Sequence, residues 1–226
     1  MNNIEIFAIV IVIFVLVYEN TLGTVAHAHA HAPQEAPYTH PKVYKNVVSP
    51  QEAEYILSET ADKFDVSDTV GGRNIDMRKS QTCWIKRDDP VASKIIQRVC
   101  DIIEYPIENA EDLQVVKYEP GGFYKDHHDS CCDDSDFCRT FSEKSGQRVL
   151  TMLIYLNDDF TGGSTTFKNL DLDVKPEKFG GVLFRPLEDG GNRCHPLALH
   201  RGNPVESGVK YICNVWIREG KFNLTS

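Results

Sequence analysis

The stretch Phe123–Ser130, FYKDHHDS, sets two histidines side by side with an aspartate directly after them. Its residues read as a β-strand, and in a strand successive side chains point to opposite faces. His127 and Asp129 then share one face and His128 points away. Histidine is the commonest side-chain metal ligand, so His127-x-Asp129 is half of a metal site. A third ligand has to come from elsewhere. Four of the remaining histidines lie in the N-terminal part of the chain, and the other two are His195 and His200, both in CHPLALHRGNPV just before the last strand-like run. Either can complete the set.

Working outward, the chain after Asp112 is a series of short runs: LQVVKY, FYKDHHD, RVLTMLIYL, STTFK, GGVLFRP and VKYICNVWI. They are rich in Val, Ile, Tyr, Phe and Thr and are separated by turn residues such as Pro120-Gly121-Gly122 and Asn157-Asp158-Asp159. Many strands without an intervening helical pattern predict a sandwich, barrel or jelly roll. Helices are expected earlier. Ser49, Pro50 and Glu52 form an N-cap, first-turn proline and capping box before Ala53, Ile56, Leu57 and Ala61. Asp89-Pro90 starts a second helix carrying Val91, Ile95, Ile96, Val99, Ile102 and Ile103, and RKSQTCWIK between the two looks extended. The predicted class is mainly β (α+β), with the N-terminal helices covering one sheet face.

Two histidines and one carboxylate leave three coordination positions open, the arrangement of non-haem Fe(II) oxygenases. Lys210 sharpens this reading. Alternation puts it on one strand face with Ile212, Asn214 and Trp216, and a cation in an otherwise apolar pocket needs an anionic partner, which a dicarboxylate cosubstrate supplies. A surface lysine on an edge strand is the plain alternative. A zinc hydrolase would use His127, Asp129 and His200 with a bound water, but it gives Lys210 no task.

The remaining segments bear on compartment. Ile6 to Tyr18 is an unbroken apolar run. At ~1.5 Å per helical residue it reaches roughly 20 Å, short of a bilayer core, and it fits a signal-peptide h-region with Ala26-His27-Ala28 as a cleavage pattern. Residues 1–23 are therefore expected to be a signal peptide or short signal-anchor, retained at a membrane or cleaved. Residues 24–41, alternating Ala and His with three prolines, read as a linker, in which His27, His29 and His31 are spacer residues before they are ligands. Residues 42–226 form the catalytic domain. The expected location is the secretory pathway, in the endoplasmic reticulum lumen or membrane, or outside the cell. Seven cysteines fit an oxidising compartment. An odd count leaves at least one unpaired, and disulfides are expected to pin the loop SCCDDSDFC, with Cys83 a buried thiol. Asn223-Leu224-Thr225 is a glycosylation sequon. A net charge of −9 argues against a nucleic-acid partner.

The pattern Tyr124-x-x-His127-x-Asp129, then His200, then Lys210 ten residues on, resembles the 2-oxoglutarate- and Fe(II)-dependent dioxygenases, specifically the prolyl 4-hydroxylase family. The segments VVKYEPGGFYKDHHD, GQRVLTMLIYLND, TGGSTTF, GGVLFRPL and CHPLALHRGNPVESGVKYICNVWIRE are similar to that family's catalytic domain in order and spacing. The likeness spans about residues 44–219 and is greatest to the smaller algal, plant and viral members. It implies a double-stranded β-helix (jelly roll) in which His127, Asp129 and His200 hold Fe(II) and Lys210 pairs with the distal carboxylate of 2-oxoglutarate. It also implies Tyr118 and Thr165 as hydrogen-bond partners of that cosubstrate, and Tyr124, Arg148 and Trp216 as neighbours of the peptide. On the plain reading Tyr118 and Trp216 are core aromatics and Arg148 is an ion-pair partner. The implied reaction consumes O2, releases succinate and CO2, is supported by ascorbate, and hydroxylates C4 of a peptidyl proline in proline-rich or collagen-like proteins. Two features depart from the family: Arg201 in HRG, where many members carry Ala, and the acidic cysteine-rich loop, both expected to border the substrate groove. The alternatives are a dioxygenase acting on another peptidyl residue such as lysine, and a secreted jelly-roll binding module without catalysis.

Overall fold

The computed structural model describes residues 37–69 and 72–222. The apolar N-terminal segment, the linker up to residue 36 and the sequon lie outside the described residues. Strands occupy β1 (Lys42–Tyr44), β2 (Asp65–Val66), β3 (Arg78–Lys79), β4 (Gln81–Ile85), β5 (Leu113–Tyr118), β6 (Phe123–His127) and β7 (Arg148–Tyr155). They continue as β8 (Phe160–Gly162), β9 (Thr165–Phe167), β10 (Leu172–Val174), β11 (Gly181–Phe184), β12 (His200–Gly202), β13 (Val205–Gly208) and β14 (Lys210–Arg218). Among the described residues three α-helices accompany them: α1 (Pro50–Thr60), α2 (Pro90–Ile103) and α3 (Asp136–Glu143).

The strands build a seven-stranded sheet in the order β1-β11-β7-β14-β5-β4-β2, a five-stranded sheet β10-β9-β12-β6-β3, and the small pair β13-β8. Every named pairing in the two larger sheets is antiparallel. This is the jelly-roll architecture expected from the strand series.

Residue alternation on the long central strands assigns the layers. Leu113 and Val115 of β5, Leu150, Met152 and Ile154 of β7, and Cys213, Val215 and Ile217 of β14 pack on one side of the large sheet with Ala53 and Ile56 of α1 and Ile95, Ile96 and Val99 of α2. The intervening Val116, Tyr118, Leu153, Tyr155 and Ile212 face the other way, against Phe167, Val182 and Phe184. The period of two thus sends every second side chain into the interior between the sheets, where the polar site lies.

Both early helices start as expected. Ser49 accepts from the Glu52 amide at 3.2 Å while the Glu52 carboxylate accepts from the Ser49 amide at 2.8 Å, and Asp89 caps α2 through the Val91 and Ala92 amides. Two details differ from the sequence reading. Strand β6 ends at His127, so Asp129 stands just past the strand, where the chain bends. The loop SCCDDSDFC contains the start of α3, which Ser135 caps by accepting from the Cys138 amide at 3.2 Å. Cys138 is the one buried residue of α3, and its apolar residues, Phe137, Cys138 and Phe141, span little more than one turn, too short a stripe to mark a helix in the sequence. The loop is pinned as expected, by Cys131–Cys138 and Cys132–Cys194. Cys83, Cys100 and Cys213 are buried and unpaired.

Candidate active site

Cross-strand register brings the distant histidine home. His200 on β12 lies directly opposite His127 on β6. Their rings are 4.3 Å apart, and each Nε2 faces the same Asp129 oxygen, Oδ1, at 3.7 Å from His127 and 3.8 Å from His200. The Nδ1–H of His127 donates to the Lys125 carbonyl at 2.7 Å, and that of His200 to the Ala198 carbonyl at 3.0 Å. A proton held on Nδ1 leaves the Nε2 lone pair free for a metal. The other Asp129 oxygen, Oδ2, accepts from Thr151 Oγ1 at 2.7 Å and Trp216 Nε1 at 3.1 Å. The carboxylate is therefore oriented at one oxygen and open at the other. Burial alone would raise its pKa, but His200, His127, Arg148 and the Thr151 hydroxyl bring it down to about 2. His127 titrates well below the ordinary histidine value, because of burial first and His200 second. A carboxylate oxygen and two imidazole nitrogens within 4.8 Å of one another are a donor set suited to Fe(II).

His195, the other candidate third ligand, is elsewhere. It is buried, stacks on Tyr38 at 4.4 Å and accepts from the Leu197 amide. His128 stands outside the ligating group although it borders the same cavity, and among the described residues its Nδ1 is buried without a hydrogen-bond partner.

Lys210 is 2% exposed. Its ammonium donates to the Gly163 carbonyl at 2.6 Å and lies 3.5 Å from the Tyr155 hydroxyl. Among the described residues no carboxylate forms an ion pair with it. Desolvation, with a smaller push from Lys175, lowers its pKa to about 7. A buried cation without a counter-ion is costly, and a cradle of this kind fits a ligand that brings its own carboxylate. Gly163 has φ +63°, and a β-carbon there would stand 3.1 Å from Lys210 Cδ. Glycine lets the carbonyl approach the ammonium.

Thr165 is buried and its hydroxyl is 2.9 Å from the Tyr155 hydroxyl. Tyr118 pairs across the strands with Lys210, whose ammonium is 5.2 Å from the Tyr118 ring. Tyr124 stacks on His127 at 3.5 Å with Arg78 over its ring at 4.7 Å. Arg148 donates from Nε and Nη2 to the two carboxylate oxygens of Glu111 at 2.7 and 2.8 Å and lies on Trp216 at 3.4 Å. The ion pair of the plain reading is thus present, and Arg148 borders the cavity as well. All nine candidate residues, His127, Asp129, His200, Lys210, Tyr118, Thr165, Tyr124, Arg148 and Trp216, line one cavity of about 330 Å³. The cysteine loop borders it through Cys131 and Phe137, whereas Arg201 turns instead toward Asp126, 4.0 Å away.

Sequence reasoning passed over several contributors. Thr151 and Tyr155 occupy the inward positions of β7, and the same alternation that singled out Lys210 finds them. Glu111, buried between Arg148 and Arg218 at 2.7 and 2.6 Å, precedes β5 and carries no periodic signal. Trp84 and Phe137, 47% and 44% exposed, end an aromatic strip along the cavity mouth. Trp84 meets Trp216 at 5.9 Å, Arg148 bridges Trp216 to Phe141, and Phe141 stacks on Phe137 at 6.1 Å.

Comparison with known proteins matches this geometry. The family model described as 2OG-Fe(II) oxygenase superfamily matches residues 113–218, the span carrying the triad and Lys210. A protein of Acanthamoeba polyphaga mimivirus, provisionally named a prolyl 4-hydroxylase, is 42% identical over 194 residues, covering 86% of this chain and 80% of the relative. The chain belongs to the prolyl 4-hydroxylase family of 2-oxoglutarate/Fe(II) oxygenases. Prolyl 4-hydroxylase 1 of Arabidopsis thaliana is 34% identical, covering 78% of this chain and 68% of the plant protein. The viral collagen prolyl hydroxylase of Paramecium Bursaria Chlorella virus-1, solved with 2-oxoglutarate, superposes with a TM-score of 0.64 at 26% identity, covering 81% of this chain and 97% of that one. This family member is accordingly a 2-oxoglutarate-dependent dioxygenase that uses Fe(II) and O2.

Proposed function

We propose that this oxygenase hydroxylates peptidyl proline at C4, in proline-rich or collagen-like segments. The observation that carries the proposal is the convergence, in one cavity, of a two-histidine, one-carboxylate face with a buried lysine lacking a carboxylate. His127, Asp129 and His200 would hold Fe(II). Lys210 would pair with the distal carboxylate of 2-oxoglutarate, with Tyr118 and Thr165 beside it. When bound, iron would activate O2, the oxidant, with 2-oxoglutarate giving two of the four electrons as it becomes succinate and CO2 and the substrate C–H bond giving the other two. The chain's own part is orientation and exclusion of water. Thr151 and Trp216 fix the Asp129 carboxylate, and the Lys125 and Ala198 carbonyls fix the two imidazoles. The aromatic strip from Trp84 to Phe137 supports a polyproline II substrate, which docks on aromatic surfaces at low entropic cost.

The test is incubation of the purified protein with Fe(II), 2-oxoglutarate, ascorbate and proline- or lysine-containing peptides, scoring succinate release and a one-oxygen mass gain. Oxygen gain at proline is expected, with Trp84→Ala and Phe137→Ala raising the peptide KM more than they lower kcat. Gain at lysine alone, or succinate release that no peptide stimulates, would overturn the proline assignment. We also infer entry into the secretory pathway, with residues 1–23 as a cleaved signal or short membrane anchor, residues 24–41 as a linker and residues 42–226 as the catalytic domain. The two disulfides support this reading, since such bonds persist mainly in oxidising compartments.

A further inference from the structure

His128 has no task in the iron site, yet its surroundings are those of a ligand. Its side chain borders both the iron-site cavity and a second depression, and among the described residues its Nδ1 is buried without a hydrogen-bond partner. A ring nitrogen of His128 and the sulfurs of Cys132 and Cys194 all lie within 4.8 Å of one another. All three residues border a depression of about 410 Å³, which neither His127 nor Asp129 lines. The sulfurs are joined at 2.08 Å as a disulfide, with Cα atoms 5.3 Å apart, and Cys132 is exposed.

We propose that His128, Cys132 and Cys194 form a second metal site, selective for Zn²⁺, that exists when the Cys132–Cys194 disulfide is reduced. The bond and the metal are alternative occupants of one place. A dithiol donor reduces the disulfide, giving two electrons and two protons and becoming a disulfide itself. The two freed thiols then lose their protons to solvent as Zn²⁺ binds two thiolates and one imidazole nitrogen, with water as the fourth ligand. Zinc–sulfur bonds of about 2.3 Å in a tetrahedron place the two sulfurs about 3.8 Å apart. With the Cα separation observed, side-chain rotation reaches that distance. Thiolate softness is what separates this site from its neighbour: two sulfurs and a nitrogen favour zinc, whereas two nitrogens and a carboxylate suit Fe(II). The alternative is that the disulfide is only a staple and His128 only packs against it. Both sulfurs also lie near the Ser130 carbonyl, at 3.2 and 3.6 Å, so the freed thiols would have a hydrogen-bond acceptor without any metal.

Cobalt separates these. The full chain, reduced with a dithiol and desalted anaerobically, is titrated with Co²⁺ alone while the near-ultraviolet thiolate-to-cobalt charge-transfer band is read. The iron triad contains no sulfur and gives no such band. One equivalent of band-forming Co²⁺, displaced by Zn²⁺, is expected in the reduced protein and none in the oxidised protein. Reduced Cys131→Ser/Cys138→Ser should keep the band, which excludes the other disulfide's thiols. His128→Ala, which leaves both disulfides intact before reduction, should weaken Co²⁺ binding by at least about tenfold, the loss that even outer-sphere partners of a metal cause. A reduced protein without the band, or a band unchanged in His128→Ala, would overturn the assignment.

Discussion

Binding of 2-oxoglutarate should take up a proton at Lys210 above neutral pH. Burial, and secondarily Lys175, lowers the Lys210 pKa from 10.5 to about 7 in the protein without cosubstrate. At pH 8 about nine-tenths of the molecules then carry a neutral amine, and at pH 6 about one-tenth do. A dicarboxylate arriving at that nitrogen favours the ammonium and drives its pKa back up. Binding should therefore absorb about 0.9 proton per cosubstrate at pH 8 and about 0.1 at pH 6, and affinity should fall about tenfold per pH unit above 7. Calorimetric titration of the anaerobic Fe(II) protein, in two buffers of different protonation enthalpy, measures this directly. Lys210→Met should abolish the uptake. It should also weaken 2-oxoglutarate binding by about 3–5 kcal/mol, the usual result of stranding one partner of a buried pair, or roughly 150- to 5,000-fold. The same variant should fold at least as stably, because among the described residues the free ammonium has no carboxylate, and the Gly163 carbonyl at 2.6 Å, the Tyr155 hydroxyl at 3.5 Å and the Tyr118 and Tyr155 rings offset its desolvation only in part. For the wild type the folded pKa lies below the unfolded value, so this group's stability penalty is full below pH 7 and is relieved as pH rises toward 10.5. Equal binding enthalpies in the two buffers at pH 8, or unchanged binding in Lys210→Met, would refute the reasoning.

Succinate assays of His127→Ala and Asp129→Ala should read no turnover, whereas His128→Ala keeps most of it; loss in the latter would mean that the wrong histidine was placed at the iron. Thr151→Val removes the 2.7 Å bond to Asp129 Oδ2 and should raise the Fe(II) requirement about 10- to 100-fold, with kcat at saturating iron little changed. An iron titration with an unshifted midpoint would show that Thr151 does not orient the carboxylate. Glu111→Gln leaves Arg148 and Arg218 without their shared carboxylate, at a cost of about 3–5 kcal/mol, read as a lower urea midpoint. A midpoint equal to wild type would mean solvent already screens the pair.

The sequence by itself determined which residue types point inward. Period-two alternation on Leu113–Tyr118, Arg148–Tyr155 and Lys210–Arg218 separates a helix-covered face from a site face, because a strand offers each side chain only two directions. The capping box at Ser49 and the Asp89-Pro90 start mark both covering helices, because caps are local chemistry. Alternation favours His127 over His128, and His127 does meet Asp129, although the strand stops at His127 and the chain bends at Asp129. Tertiary structure decided what local pattern leaves open. Alternation leaves His195 and His200 as candidates and the family resemblance points to His200; the physical reason is the register of β12 against β6, which no local pattern encodes. Glu111 beneath Arg148, the pairing of Cys132 with Cys194, and the buried nitrogen of His128 beside that bond join residues from separate loops. Their proximity arises when the sheets close, so spacing along the chain carries no trace of it.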